Sequence, residues 1–227
     1  MCGRYTQSHS GEAIAAAFEL AAVPTVTVSY NIAPTQLVSV VLAAESGRQH
    51  SLMRWGLVPG WAKDPSIGNR LINARAETVH EKPSFRTAFR RRRCLVIADG
   101  FYEWHRLKDS KTKQPYYFQR RDRQLFAFAG LWEHWQNEQE AISSCTLLTT
   151  QPNSLLAPVH DRMPVMLPAE VYDRWLNPQE QRPESLQPLL VPYTATEMQR
   201  YPVSQQVNNP SHNSLSCIEP IELESQL

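Results

Sequence analysis

The 227-residue chain carries a formal net charge of +1 and 42% hydrophobic residues, six tryptophans among them, a composition that excludes an intrinsically disordered chain and suits one globular domain over residues 1–227. So small a charge excludes a global electrostatic footprint, so any polyanion surface must come from local clustering. No apolar run reaches 18 residues, and the N-terminus lacks the basic and apolar regions of a secretory signal, so a cytoplasmic protein without a membrane span is expected.

Ser10 to Leu20 is alanine-rich with Ile14 and Phe18 four apart, which predicts a short amphipathic helix capped by Ser10. Thr25 to Tyr30 is mostly β-branched and reads as extended; Tyr30 to Thr35 reads as a loop, with Pro34 forcing Ala33 out of helical geometry. Leu37–Ala43 and Ser51–Trp55 are predicted strands. Val58 to Pro65 is a loop that holds Trp61 between a Pro-Gly turn and a second proline. In Leu71 to Thr78 the polar residues alternate, which sets Asn73 and Arg75 on one face of an extended segment. Glu81 to Arg92 predicts a helix, with Pro83 in its first turn and Phe85 and Phe89 on one face.

Strands follow quickly from Cys94: Cys94–Ala98, a tight turn at Asp99-Gly100, Phe101–His105, Pro115–Arg120, Leu125–Trp132, Ser144–Thr150 and Val165–Leu167. This succession suggests an antiparallel barrel or sandwich. A helix is predicted from Pro168 to Leu176, with Val171 and Trp175 inward. Beyond Asn177 recurring prolines predict loop-rich wrapping, a strand near Tyr201–Val203 and a mobile end. No repeats or low-complexity tract divide the chain.

The four cysteines, at 2, 94, 145 and 217, form no C-x-x-C pair, so no metal site and no cofactor are expected, and the thiols are expected to be reduced. Cys2 is different in kind. Methionine is normally trimmed when the next side chain is small, and trimming would leave Cys2 with a free α-amine beside its thiol. The amine titrates near ~8 and the thiol near ~8.5, so both have a reactive form at neutral pH. Such an aminothiol attacks an aldehyde as a Schiff base and then closes a five-membered thiazolidine ring. On position alone, Cys2 is equally consistent with the second residue of a frayed end.

Glu103 sits in the aromatic run Phe101-Tyr102-Glu103-Trp104-His105. It is either a buried carboxyl with a raised pKa, fit for acid–base work, or a residue on the solvent face of an edge strand. His160, flanked by charges in a proline-bounded loop, is either a functional imidazole or a surface histidine. The other six histidines, His9 among them, read as structural or solvated. Asn73 and Arg75 either orient an anionic ligand or form the polar face of a strand. Arg86 and the run Arg90–Arg93 either track a phosphate backbone or complement a helix dipole. Trp61 is either core or a stacking platform for an exposed base.

Six segments then occur in order: Met1–Tyr5, Tyr30–Thr35, Arg54–Trp61, Asn73–Thr78, Ala98–Trp104 and His160–Pro164. Together they resemble the SRAP family, the SOS-response-associated peptidases and abasic-site-processing proteins, densely over residues 1–167 and more weakly in the tail. The resemblance implies a compact α+β domain, an antiparallel β-barrel-like core flanked by short helices, with a basic groove. A monomer is expected, and the resemblance implies that it binds single-stranded DNA carrying an abasic site and crosslinks Cys2 to the ring-opened sugar, shielding the lesion. Asn73 would hold the cysteine or sugar, Glu103 would shuttle protons, and His160 would be a second acid–base group. Arg4, Arg75 and Arg162 would contact DNA, Trp61 would wedge beside the lesion, and the peptidase activity would be self-removal of Met1, with lyase activity if the Schiff base persists. Two other readings stay open. One is an N-terminal-nucleophile amidohydrolase, disfavoured by the lack of the downstream segment such enzymes carry. The other is a non-catalytic single-strand binder using Arg75, the arginine run and Trp61.

Overall fold

Regular structure begins three residues past Cys2. The computed structural model describes residues 2–106 and 112–223. Its elements run β1 (Tyr5–Gln7), α1 (Gly11–Phe18), β2 (Ser29–Ile32), β3 (Leu37–Ala44), β4 (Gly47–Trp55), β5 (Asn73–Arg75), α2 (Arg86–Arg91), β6 (Arg93–Ala98), β7 (Gly100–Arg106) and β8 (Lys113–Arg120). Then come β9 (Phe126–Gln136), β10 (Ala141–Thr150), β11 (Met163–Pro164), β12 (Met166–Leu167), α3 (Tyr172–Leu176), α4 (Pro183–Leu186) and β13 (Met198–Pro202). Met1 and the chain end, on which two sequence expectations fall, lie outside the described residues.

Five strands close into a barrel: β4 pairs β3, β3 pairs β6, β6 pairs β9, β9 pairs β10, and β10 returns to β4. Four of these pairings are antiparallel, and the closing one, Ser144 and Cys145 beside Arg54 and Trp55, is parallel. A second, wholly antiparallel sheet runs β13-β8-β7-β1-β2. The α+β class and barrel-like core expected from the sequence are therefore present in one compact domain.

Strand alternation divides the core. Val40, Val96, Phe128 and Leu147 join Tyr5, Phe101 and Phe118 of the second sheet in one buried cluster, to which every barrel strand contributes. Their neighbours Val41, Leu95, Ala129 and Leu148 face the helices, meeting Ile14 and Phe18 of α1, Phe89 of α2 and Trp175 of α3. All six residues of β6 are buried because both of its faces are covered.

Several expected elements end elsewhere. Ser10 caps α1 as expected, its side chain accepting from the Ala13 amide. A Cβ on Gly11 would lie 2.1 Å from the Pro24 carbonyl oxygen, so residues 21–28 pass tightly over the helix start and pairing begins only at Ser29. Tyr30–Ile32, expected as loop, are therefore strand. The helix expected from Glu81 begins at Arg86, because Pro83 lacks an N–H and disfavours helical geometry at Lys82; turns fill the interval. Asp99-Gly100 is not a hairpin turn: β6 lies in the barrel and β7 in the second sheet, so this pair is the corner between them.

The arginine run divides by environment. Arg93 is 4% exposed, and its guanidinium donates to the carbonyls of Phe89, Arg90, Trp175, Asn177 and Glu180, tying the ends of α2 and α3 together. Burial lowers its pKa to about 10, so it stays charged at neutral pH. Arg92 pairs with Glu133 at 2.5 Å, while Arg86, Arg90 and Arg91 are exposed.

Candidate active site around Cys2

Cys2 is fully buried in the cluster shared by the barrel and the second sheet. Two elements hold it there. β1 pairs β7 with Tyr5 opposite Phe101, and the Tyr102 amide donates to the Arg4 carbonyl at 3.0 Å, which carries the pairing toward Cys2 and brings Glu103 alongside. From the barrel side, β5 sits beside β10 with Asn73 opposite Leu147, and Asn73 Nδ2 donates to the Cys2 carbonyl at 2.8 Å. Asn73 Oδ1 is buried and has no hydrogen-bond partner among the described residues.

Glu103 is 2% exposed. β7 is flanked by β1 and β8, so the edge-strand alternative for this residue does not hold. Burial raises its pKa from the ordinary carboxylate value to about 7. The Cys2 thiol is pushed up in turn, first by burial and then by the Glu103 charge, so it is protonated at neutral pH. His160 Nε2 lies 3.9 Å from Glu103 Oε2. The Arg162 amide approaches His160 Nδ1 at 3.0 Å, Asp161 Oδ1 lies 3.0 Å from the same nitrogen, and Nε2 is left facing Glu103. Burial also lowers the His160 pKa, so the ring is neutral at pH 7.

The structure thus gathers Cys2, Asn73, Glu103 and His160, separated by up to 158 positions in sequence, around one buried point. The arrangement holds an acid–base pair beside the N-terminal segment and offers an orphaned amide oxygen to a bound group. No cluster of three or more potential metal ligands occurs among the described residues.

The profile of the SOS response associated peptidase (SRAP) family matches residues 1–210. The chain belongs to the SRAP family. It is 49% identical over 192 residues to the abasic site processing protein YoqW of Bacillus subtilis, covering 84% of this chain and 85% of that one. It is 44% identical over 223 residues to YoaM of the same organism, an abasic site processing protein too, covering 96% and 98%. The abasic site processing protein HMCES of Rattus norvegicus is 32% identical over 233 residues, covering 86% of this chain and 65% of its own length. Among solved structures, a protein of Bacteroides thetaiotaomicron superposes with a TM-score of 0.86 at 25% identity, covering 97% of this chain and all of that one.

The remaining positions singled out from the SRAP motifs have distinct surroundings. Arg162 forms a two-point pair with Glu77, at 2.7 and 2.8 Å, and donates to the Thr149 carbonyl. Arg4 donates to Asn31 Oδ1 and the Val207 carbonyl, both at 2.8 Å, and its guanidinium lies 5.9 Å from the Trp104 ring centroid. Arg75 is exposed and forms no ion pair among the described residues. Trp61 is 61% exposed, the one exposed tryptophan of six. Its loop is anchored on both sides: Val58 N–H donates to Ser144 Oγ at 2.8 Å and Trp135 Nε1 donates to the Ala62 carbonyl at 2.7 Å. Trp61 and Arg75 are thus the two positions presented to solvent, while Arg4 and Arg162 are engaged within the protein. Sequence reading passed over Glu77 and Asn31 as individual residues. Both lie in quoted SRAP segments, and their partners are too distant in sequence to be read from spacing.

Proposed function

We propose that this SRAP chain processes abasic sites in single-stranded DNA, capturing the ring-opened sugar on Cys2 after Met1 is lost. The observation that carries the reading is a buried carboxyl with a pKa of about 7 set against the N-terminal cysteine. Loss of Met1 frees the Cys2 amine. Ionised Glu103 takes a proton from the Cys2 ammonium, and the amine adds to the sugar aldehyde to give a carbinolamine. Glu103 returns the proton to the hydroxyl, which leaves as water, and an imine remains. The Cys2 thiol then adds across the imine, sulfur to carbon and proton to nitrogen, closing the thiazolidine with net loss of one water. The protonated state of the buried thiol suits that last step and leaves the first attack to the amine.

Asn73 fixes the Cys2 carbonyl, and its free Oδ1 is placed to accept a sugar hydroxyl. His160, with its Nε2 facing Glu103, relays protons with it in ring closure and reversal. Masking the aldehyde removes the group that drives β-elimination, so closure shields the strand; a persistent imine gives lyase chemistry. Removal of Met1 by the chain itself is the peptidase component. Exposed Trp61 stacks beside the missing base, and Arg75 holds a phosphate. The protein acts as a monomer in the cytoplasm; no helix among the described residues is long and apolar enough to cross a membrane.

The test is intact mass after incubation with a short single-stranded abasic oligonucleotide. The expected species is des-Met protein plus DNA minus one water, absent for Cys2→Ala and absent with intact DNA. No adduct from protein confirmed to have lost Met1 would sink the reading. Glutamine turnover by the same preparation would favour an amidohydrolase instead.

A further inference from the structure

Asn31 touches none of the reacting groups, yet it is 1% exposed and fully engaged. Its Nδ2 donates to the carbonyls of Val207, Asn209 and His212 at 3.2, 3.1 and 2.7 Å. Its Oδ1 accepts from Arg4 Nη1 at 2.8 Å. The same Arg4 nitrogen donates to the Val207 carbonyl at 2.8 Å. Trp104, over which the Arg4 guanidinium lies, donates its Nε1 to Asn208 Oδ1 at 2.7 Å. A short helical turn, Gln205–Asn208, presents the Val207 carbonyl, the chain just beyond it presents those of Asn209 and His212, and Val207 is fully buried against Tyr102 and Tyr117.

Besides Asn31, the tail segment hydrogen-bonds Arg4 and Trp104. One follows Cys2 by two positions and the other follows Glu103 directly. Asn31 is the knot of this grip. Only a short amide side chain supplies a donor to the tail and an acceptor to Arg4 at once. Aspartate would set a carboxylate against three carbonyl oxygens, and an apolar residue would leave all of these partners unmatched.

We infer that Asn31 is a positioning residue for the chemistry at Cys2, and that residues 204–212 are a clamp it closes over the segments bearing Cys2 and Glu103. The inference rests on the proposed function and extends it to a part of the chain with no reacting group. The clamp fixes each reacting residue through a chain neighbour.

The experiment is single-turnover crosslinking at saturating abasic oligonucleotide, measured against pH, for wild type, Asn31→Ala and Asn208→Ala, with thermal unfolding of each. In wild type the rate is expected to rise with a midpoint near the Glu103 value of about 7. Asn31→Ala is expected to lower the saturated rate about 10- to 100-fold, the cost of misplacing reacting groups by an ångström. It is also expected to move the midpoint toward the ordinary carboxylate range, as a loosened β7 no longer holds Glu103 fully buried. Asn208→Ala, which removes only the Trp104 tether, should move both in the same direction by less. A purely structural role would lower the unfolding temperature and leave rate and midpoint of the folded protein unchanged, and that result overturns the inference. If Asn31→Ala does not fold, an unshifted midpoint and rate in both Asn208→Ala and Trp104→Phe overturn it equally. Wild type that forms no adduct sinks the proposed function itself, whereas a normal wild-type adduct with unaffected variants sinks only the clamp.

Discussion

Glu103 shows how burial converts an ordinary side chain into a reagent. Its folded pKa of about 7 stands above the unfolded value, so between pH ~4.5 and ~7 the folded state keeps a proton that the unfolded chain has released. Stability accordingly falls as pH rises through that window and levels off above it. Glutamine in its place carries no such cost. Glu103→Gln is therefore expected to stabilise the protein by about 3 kcal/mol at pH 8, read by urea unfolding, with little difference at pH 4. The same substitution should slow crosslinking by about 10²- to 10⁴-fold, because the proton acceptor is gone. A variant that is more stable and less active would mark the carboxyl as placed for chemistry at the expense of the fold. The sequence displayed this residue plainly, a carboxylate among aromatics. It left open which face it occupied, because that depends on β1 pairing β7 on the side away from β8, and β1 lies some ninety residues earlier in the chain. His9 proves structural, one of the two roles the sequence allowed it, bonded to Asp99 90 positions away.

At the scale of elements the corner between β6 and β7 is the informative case. Asp99 is 4% exposed, and burial by itself would raise its pKa. Donors outweigh that effect and lower it: His9 Nδ1 at 3.0 Å, the Ser8 amide and hydroxyl at 2.5 and 2.6 Å, and the Thr6 hydroxyl. The carboxylate thus fastens the end of β1 to the turn out of the barrel. Gly100 next to it has no room for a side chain, since a Cβ would lie 2.0 Å from the Tyr117 hydroxyl. Because the folded pKa of Asp99 is depressed, its contribution is present above the unfolded carboxylate value and is lost as pH falls through the folded one. His9 is shifted upward, chiefly by its hydrogen bond to Asp99, so its share is present below its unfolded pKa and fades as pH rises through the folded one. Asp99→Asn is expected to cost about 3 kcal/mol at pH 6, measured by urea unfolding, with the gap to wild type narrowing in acid. The Asp-Gly signal was legible as a change of direction. That it joins two sheets instead of two paired strands was not, because local turn chemistry is the same in both. Strand positions read well from short apolar runs and turn signals, whereas the α2 start depended on how Lys82 and Pro83 settle.

For the molecule as a whole, a net charge of +1 gives no long-range pull on DNA, so binding rests on a few local contacts. Arg75 is exposed, without an ion pair among the described residues, and should act as a phosphate contact of general kind. Arg75→Ala is expected to weaken binding equally for intact and abasic single strands and to reduce the salt slope of the binding constant by about 1, measured by fluorescence anisotropy across a salt series. Unequal loss between the two strands would place Arg75 at the lesion instead. The barrel itself was legible only as a class. The parallel seam of β4 with β10 joins residues some ninety positions apart, and no periodicity in either strand records it.

The burial of Cys2 between Asn73 and Glu103 also sets an order of events during synthesis. Its partners on β5 and β7 do not exist until about a hundred residues have been made, an interval of roughly 5–20 s at ribosomal elongation rates. Throughout that interval the segment before β1 has no partner strand to cover it. Once β7 pairs with β1, Cys2 is enclosed. A late-forming β-pairing thus sets the moment at which the thiol passes from solvent to a covered position.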